Sequence, residues 1–138
     1  MALEMKFELK GGDFAHVGKA SSKIKKTLKQ LNVDTKSIKR IVVAVYEAEV
    51  NVAAHAEKGW LNAAIEESEI RVVIEDEGPG IDDIEKAMKE GFSTASKAVR
   101  EMGFGAGMGL PNIKKNTDEL NIESTPGKGT IVKFRNFY

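Results

Sequence analysis

Glu47, Asn51 and His55 follow one another at intervals of four residues. They sit in a stretch where Ile38, Ile41, Val42, Val45, Ala48 and Val52 repeat with a helical period. On a helix the three polar residues therefore share one side. A carboxylate there can accept a proton, and an amide oxygen one turn later can ligate a hard cation such as Mg²⁺. The same spacing also describes a solvated polar stripe opposite a core face. Two features count against that blander reading. Asparagine is a poor helix-interior residue, and small or apolar neighbours (Val50, Val52, Ala53, Ala54) flank it.

Two further groups invite chemistry. Asp76-Glu-Gly-Pro-Gly80 ends a β-prone run. It suits a plain turn, or a fixed carboxylate that accepts from an exocyclic amine such as adenine N6, with glycines admitting a flat ligand. Gly103-Phe-Gly-Ala-Gly-Met-Gly-Leu110 stands immediately before a predicted helix. Alternating glycines and unpaired helix N–H groups make a phosphate cradle. The segment lacks the Gly-Lys-Ser/Thr of a P-loop, the first-turn position of a dinucleotide fingerprint, and the companion motifs of a protein-kinase glycine loop.

The elements that must position these residues are legible around them. Residues 3–9 alternate as a strand and stop at Gly11-Gly12. From Phe14 a helical period begins, with Asp13 as N-cap and Phe14, Val17, Ile24, Leu28 and Leu31 on one face, opposite Lys25, Lys26 and Lys29. A second helix opens at Asp34 or Thr35 and runs to about Ala56. Residues 60–66 and 69–76 read as strands, a third helix starts near Leu110 with Pro111 in its first turn, and 119–124 and 130–135 form a hairpin across Pro126–Gly129. The sum predicts an α/β chain, more closely an α+β two-layer sandwich: a mixed sheet with helices on one face.

Composition sets the outer limits. The 138 residues predict one domain, 1–138, with enough surface to bury for a core without metal or disulfide support. There is no cysteine, which removes disulfides, thiolate metal sites and thiol nucleophiles. Twenty-one Lys+Arg balance 21 Asp+Glu, which argues against a nucleic-acid partner. No apolar run approaches the ~20 residues of a membrane span and no signal peptide opens the chain, so the expectation is a cytoplasmic protein with no membrane partner. Seven of the 13 glycines fall between residues 78 and 109, marking that stretch as a functional lid or a disordered loop.

In order, Glu47-Ala-Glu-Val-Asn51, Asp76-Glu-Gly-Pro-Gly80 and Gly105-Ala-Gly-Met-Gly-Leu110 resemble the three motifs of the GHKL ATPase/kinase superfamily, with Gly127-Lys-Gly-Thr130 matching its last hairpin. Within it the chain looks like the anti-sigma factor serine/threonine kinases. Glu90-Gly-Phe-Ser-Thr94 and residues 103–113 look especially like the stressosome switch-kinase branch. Val50 departs from the small polar residue often found before the asparagine, and the loop between Thr94 and Gly103 is longer than in the switch kinase. The resemblance implies a Bergerat-type ATP-binding fold with ATP and Mg²⁺ as cofactors. It makes Glu47 the general base, Asn51 the Mg²⁺ ligand and Asp76 the adenine anchor. Gly78 and Gly80 shape the adenine pocket and Thr130 supports it. Gly105, Gly107, Met108, Gly109 and Leu110 hold phosphates beneath a lid over about residues 82–104, and His55 is structural. Lys97 and Arg100 lie in that lid, either contacting the γ-phosphate or simply solvated.

The function this implies is a serine/threonine protein kinase acting on a STAS-domain anti-anti-sigma or stressosome protein, with a sigma factor as second partner and a homodimer formed through the N-terminal strand and first helix. The alternative is an ATP-binding anti-sigma or adaptor module with little or no phosphotransfer; the intact Glu47 argues against it. A histidine-kinase catalytic domain would need a phosphoacceptor histidine on a dimerising helical hairpin, and the chain holds only His16 and His55. Gyrase-like or chaperone-like ATPases would need further domains.

Overall fold

The alternation at the start of the chain produces an edge strand, β1 (Leu3–Lys10), whose Met5, Phe7 and Leu9 pack against the core while Glu4, Lys6, Glu8 and Lys10 face water. The computed structural model describes residues 2–81, 84, 88, 89 and 109–138. After β1 come a single 3₁₀ turn (Phe14–His16), α1 (Lys19–Gln30), α2 (Thr35–His55), β2 (Lys58–Ile65), β3 (Glu69–Glu77), α3 (Gly109–Lys115), β4 (Glu119–Thr125) and β5 (Gly129–Phe137). The strands form one sheet in the order β1-β2-β3-β5-β4. One face of the sheet turns Leu61, Ala63, Ile70, Val72, Val132 and Phe134 toward Ile41, Val45, Ala48 and Val52 of α2. Helix α2 lies between α1 and α3, so the architecture is the expected two-layer α+β sandwich.

The expectation of a mixed sheet needs correcting. Every neighbouring pair among the described strands is antiparallel. β4 does run in the direction of β3, but its hairpin partner β5 returns between them and takes the ladder positions beside β3.

The first helix also differs. Asp13 caps nothing; its carboxylate holds His16 Nδ1 at 2.8 Å. Gly18, at φ 100°, turns the chain before α1 begins. The cap comes instead from α2, where buried Glu49 accepts from Ala20 N (2.9 Å) and Ser21 N (3.3 Å). Leu31, expected on the core face, is 53% exposed. Asn32 sits at φ 59° just past the helix, with its N–H on Lys29 O and that of Val33 on Leu28 O. This left-handed exit gives the apolar slot beside Leu28 to Val33 and leaves Leu31 outside. At α2 the expectation holds: Asp34 accepts from Ser37 N at 2.9 Å. No helix among the described residues is long and apolar enough to cross a membrane.

Glu49→Leu strands two buried N–H donors at the start of α1. It is expected to destabilise the protein by about 2–4 kcal/mol, against about 1 kcal/mol for Asp34→Ala, in urea denaturation with an unchanged m-value.

Candidate functional site

Helix α2 buries Ile41, Val45, Ala48 and Val52 against the sheet, which leaves Glu47 and Asn51 half-buried on another side. α3 covers that side. A Cβ added to Gly109 would lie 3.6 Å from Glu47 Oε2 and 3.7 Å from Asn51 Oδ1, so the first residue of α3 stands over both side chains. Any larger residue there would fill the space into which the carboxylate and the amide point. One turn along α3, Asn112 Nδ2 approaches Glu47 Oε1 at 3.5 Å. Asn112 O accepts from Asn116 Nδ2 (2.8 Å), and Asn116 O accepts from buried Asn136 Nδ2 on β5 (2.7 Å). Burial pushes the Glu47 carboxyl above its ordinary value, and the Asn112 amide partly opposes that shift. The result is a carboxylate with raised proton affinity beside a neutral oxygen donor.

Asp76 ends β3 opposite Thr130 of β5, and its Oδ1 accepts from Thr130 N at 3.1 Å. Among the described residues no donor reaches Oδ2. Burial raises this carboxyl too, with the Thr130 N–H working against it. The loop after Asp76 is tied to the β4–β5 hairpin: Gly78 N donates to Lys128 O, Gly127 N to Pro79 O, and Ile81 N to Ser124 Oγ at 2.7 Å. Ser124 Oγ also lies 3.0 Å from Thr130 Oγ1. Gly80 has φ 74° and presses against Thr125 O, so a side chain is excluded by both conformation and space. Gly78 abuts Ala56 at the end of α2. In the direction a Cβ would take, both glycines meet the protein's own chain, Gly78 at Ala56 and Gly80 at Thr125.

Two groups therefore form around the C-terminal half of α2. Glu47 and Asn51 meet Gly109, and Asp76 meets Thr130 with Gly78 alongside. Leu110 contributes its side chain to the core. At the last residue of α2, burial holds His55 toward its neutral form. Gly105, Gly107 and Met108, together with Lys97, Arg100 and nearly all of the expected 82–104 lid, lie outside the described residues. Among the described residues no group of three His, Asp or Glu side chains converges as a metal cage. Sequence reasoning missed Asn112, Ser124 and Glu49. Only Glu49 carried a signal, because it falls on the helical face of Ile38, Val45 and Val52.

A family model described as a histidine kinase-like ATPase domain matches residues 12–136. The chain is 38% identical over 113 residues to a protein named anti-sigma F factor from Caldanaerobacter subterraneus subsp. tengcongensis, covering 78% of this chain and 76% of that one. It is 35% identical over 109 residues to the serine/threonine-protein kinase RsbT of Bacillus subtilis, covering 76% of each. Among solved structures, a chain of the SiaB–SiaC complex from Pseudomonas aeruginosa superposes with a TM-score of 0.56 at 12% identity, over 99% of this chain and 91% of that one. That likeness bears on the fold, which is the Bergerat-type sandwich.

Because burial raises the Glu47 and Asp76 carboxyls above their ordinary 4.5 and 3.8, each favours the folded state fully below its unfolded pKa. That contribution is lost as pH rises through the raised native value. Glu47→Gln and Asp76→Asn should therefore raise Tm at pH 7 by about 1–3 °C, a modest gain because both groups are partly screened by water. Thermal melts from pH 3 to 8 should show the gain disappearing at the acid end.

Proposed function

The chain belongs to the histidine kinase-like ATPase domain family, and we propose that within it the protein is an ATP- and Mg²⁺-dependent serine/threonine kinase that regulates a sigma factor or stressosome pathway by phosphorylating a STAS-domain partner. The observation that carries this reading is the half-buried Glu47 carboxylate with Asn51 one turn away, both facing Gly109 at the start of α3. A module that only bound nucleotide would have no use for a base of raised proton affinity at that point. The relatives named as an anti-sigma factor and as a serine/threonine kinase support the same class.

In this reading the whole chain is one ATPase domain with a lid over about 82–104. Glu47 would take the proton of the partner's hydroxyl as that hydroxyl oxygen bonds to the γ-phosphorus and the bond from phosphorus to the β–γ bridging oxygen breaks, with ADP as the leaving group. Asn51 offers a neutral amide oxygen, the donor type Mg²⁺ prefers, facing the first residue of α3. Bound ATP supplies the phosphoryl group and Mg²⁺ neutralises phosphate charge. Oδ2 of Asp76, which no donor reaches among the described residues, accepts from the adenine amino group, while the Thr130 N–H holds Oδ1 and Gly78 and Gly80 shape the adenine pocket. Gly105, Gly107, Met108, Gly109 and Leu110 present backbone to the phosphates. A guanine base puts a carbonyl where adenine carries its amine, so Asp76 rejects it.

Loss of the base should lower transfer from labelled ATP to a candidate STAS protein by about 10²–10⁴-fold in Glu47→Ala, with nucleotide affinity little changed. Asn51→Ala should instead weaken Mg-dependent binding, since it removes a ground-state ligand. Unchanged transfer in Glu47→Ala would remove the assigned base. Wild-type protein that binds a sigma factor in an ATP-dependent way, yet transfers to no candidate, is an adaptor and not a kinase. Calorimetry supplies a separate check: Asp76→Ala should lose ATP binding, and GTP should bind wild type at least about tenfold more weakly than ATP.

A further inference from the structure

The two oxygens of the Glu47 carboxylate have different neighbours. Oε2 points toward the first residue of α3, and so does Asn51 Oδ1: a Cβ at Gly109 would lie 3.6 Å from the one and 3.7 Å from the other. Oε1 instead meets Asn112, whose Nδ2 donates to it at 3.5 Å. Residues 109 and 112 are three apart and therefore adjacent on the surface of α3. The rotation of that helix is set by Leu110, Pro111 and Ile113, which are buried.

Seven residues give α3 little stability of its own, and its far end is tied down separately. Asn112 O accepts from Asn116 Nδ2 at 2.8 Å, and Asn116 O accepts from Asn136 Nδ2 at 2.7 Å. Asn136 is buried on β5, the strand whose Thr130 N–H holds Asp76. Among the described residues its Oδ1 has no protein partner, so the tie of this side chain is the one to Asn116. Three asparagines thus run in line from the sheet to the carboxylate.

We infer that Asn112 is a positioning residue for Glu47: it holds Oε1 and so keeps Oε2 aimed into the space that Asn51 and Gly109 share, with Asn116 and Asn136 fixing Asn112 itself. The inference deepens the kinase reading, and its effect on transfer rests on that reading. Oε1 already receives a donor, so the proton of the partner's hydroxyl goes to Oε2. A neutral amide suits this task. A lysine at 112 would pair with the carboxylate and lower its proton affinity, and an aspartate would repel it. No charged side chain takes part: one turn either side on α2 stand Val43 and Asn51, α3 brings Gly109 and Asn112, and burial and the Asn112 amide are what act on the carboxyl. A contact of 3.5 Å is long, as hydrogen bonds to catalytic groups often are before substrate tightens them.

The first measurement needs no turnover. In the ¹⁵N-labelled full chain, the Asn112 side-chain amide signals, identified by their loss in Asn112→Ala, should move in Glu47→Ala. The second is transfer from labelled ATP to a candidate STAS protein. Asn112→Ala should lower kcat about 10–100-fold, while the KM for ATP and the calorimetric ATP affinity stay within about twofold of wild type. Asn112→Asp should transfer no better than the alanine variant, whereas Asn112→Gln keeps the donor and should recover part of the loss. Asn116→Ala, one step back along the line, should cost less than Asn112→Ala. Circular-dichroism melts check folding, and Asn112→Gln with Asn116→Ala carry the test should Asn112→Ala unfold. Amide signals unmoved by Glu47→Ala would overturn the inference. So would an unchanged kcat in Asn112→Ala, or a fall in kcat matched by an equal fall in ATP affinity, which marks a merely structural residue. Wild-type protein that transfers to no candidate counts against the kinase reading alone; moved amide signals would still support the hold of Asn112 on Glu47.

Discussion

The arrangement of the site depends on α2 lying in the middle of the helical layer with neighbours on both flanks. Its core face is committed to the sheet through Ile41, Val45, Ala48 and Val52, which fixes the rotation of the helix about its axis. Two glutamates only two residues apart are then sent to opposite sides. Glu49 goes to α1 and satisfies the N–H groups of Ala20 and Ser21, while Glu47 goes to α3 and meets Gly109 and Asn112. One carboxylate thus holds the helical layer together, and the other is left with weak protein contacts. The difference in their partners, not in their chemistry, separates a structural acid from one available for reaction.

The second half of the site is positioned by sheet register. Asp76 reaches Thr130 only because β5 pairs beside β3 with those two residues opposite one another. A slip of one residue would send every side chain of β5 to the other face and remove both the buried Val132 and Phe134 and the Thr130 contact. The hydrogen bonds from Gly78, Gly127 and Ile81 then clamp the glycine loop onto the hairpin. The same sheet core that supplies stability therefore orients the carboxylate.

These features share an energetic pattern. Glu47 and Asp76 lose hydration without full compensation from the protein. Proteins tolerate such local losses where a ligand or partner recovers them. Where no such use exists, the charges are matched: Arg135 joins Glu69 and Glu119, and Arg40 joins Asp118 across 78 residues of chain.

Much of this was legible in the residues themselves, because helix period, strand alternation, capping and turn chemistry are local properties. The extent of α2, its Asp34 cap, the shared side of Glu47 and Asn51, the strand end at Asp76 and the β4–β5 hairpin all follow from neighbours within a few positions. The antiparallel order of the sheet was not, since pattern gives each strand its faces but not its neighbour. Nor was the meeting of Asn112 with Glu47, 65 residues apart, or of Thr130 with Asp76, 54 apart. Local pattern also misplaced two residues: Leu31, which fits the helical period yet loses its core position to Val33, and Asp13, which resembles a cap that Glu49 supplies instead. In each case the outcome turned on which of two groups reached a shared position, and only the packing of distant segments decides that competition.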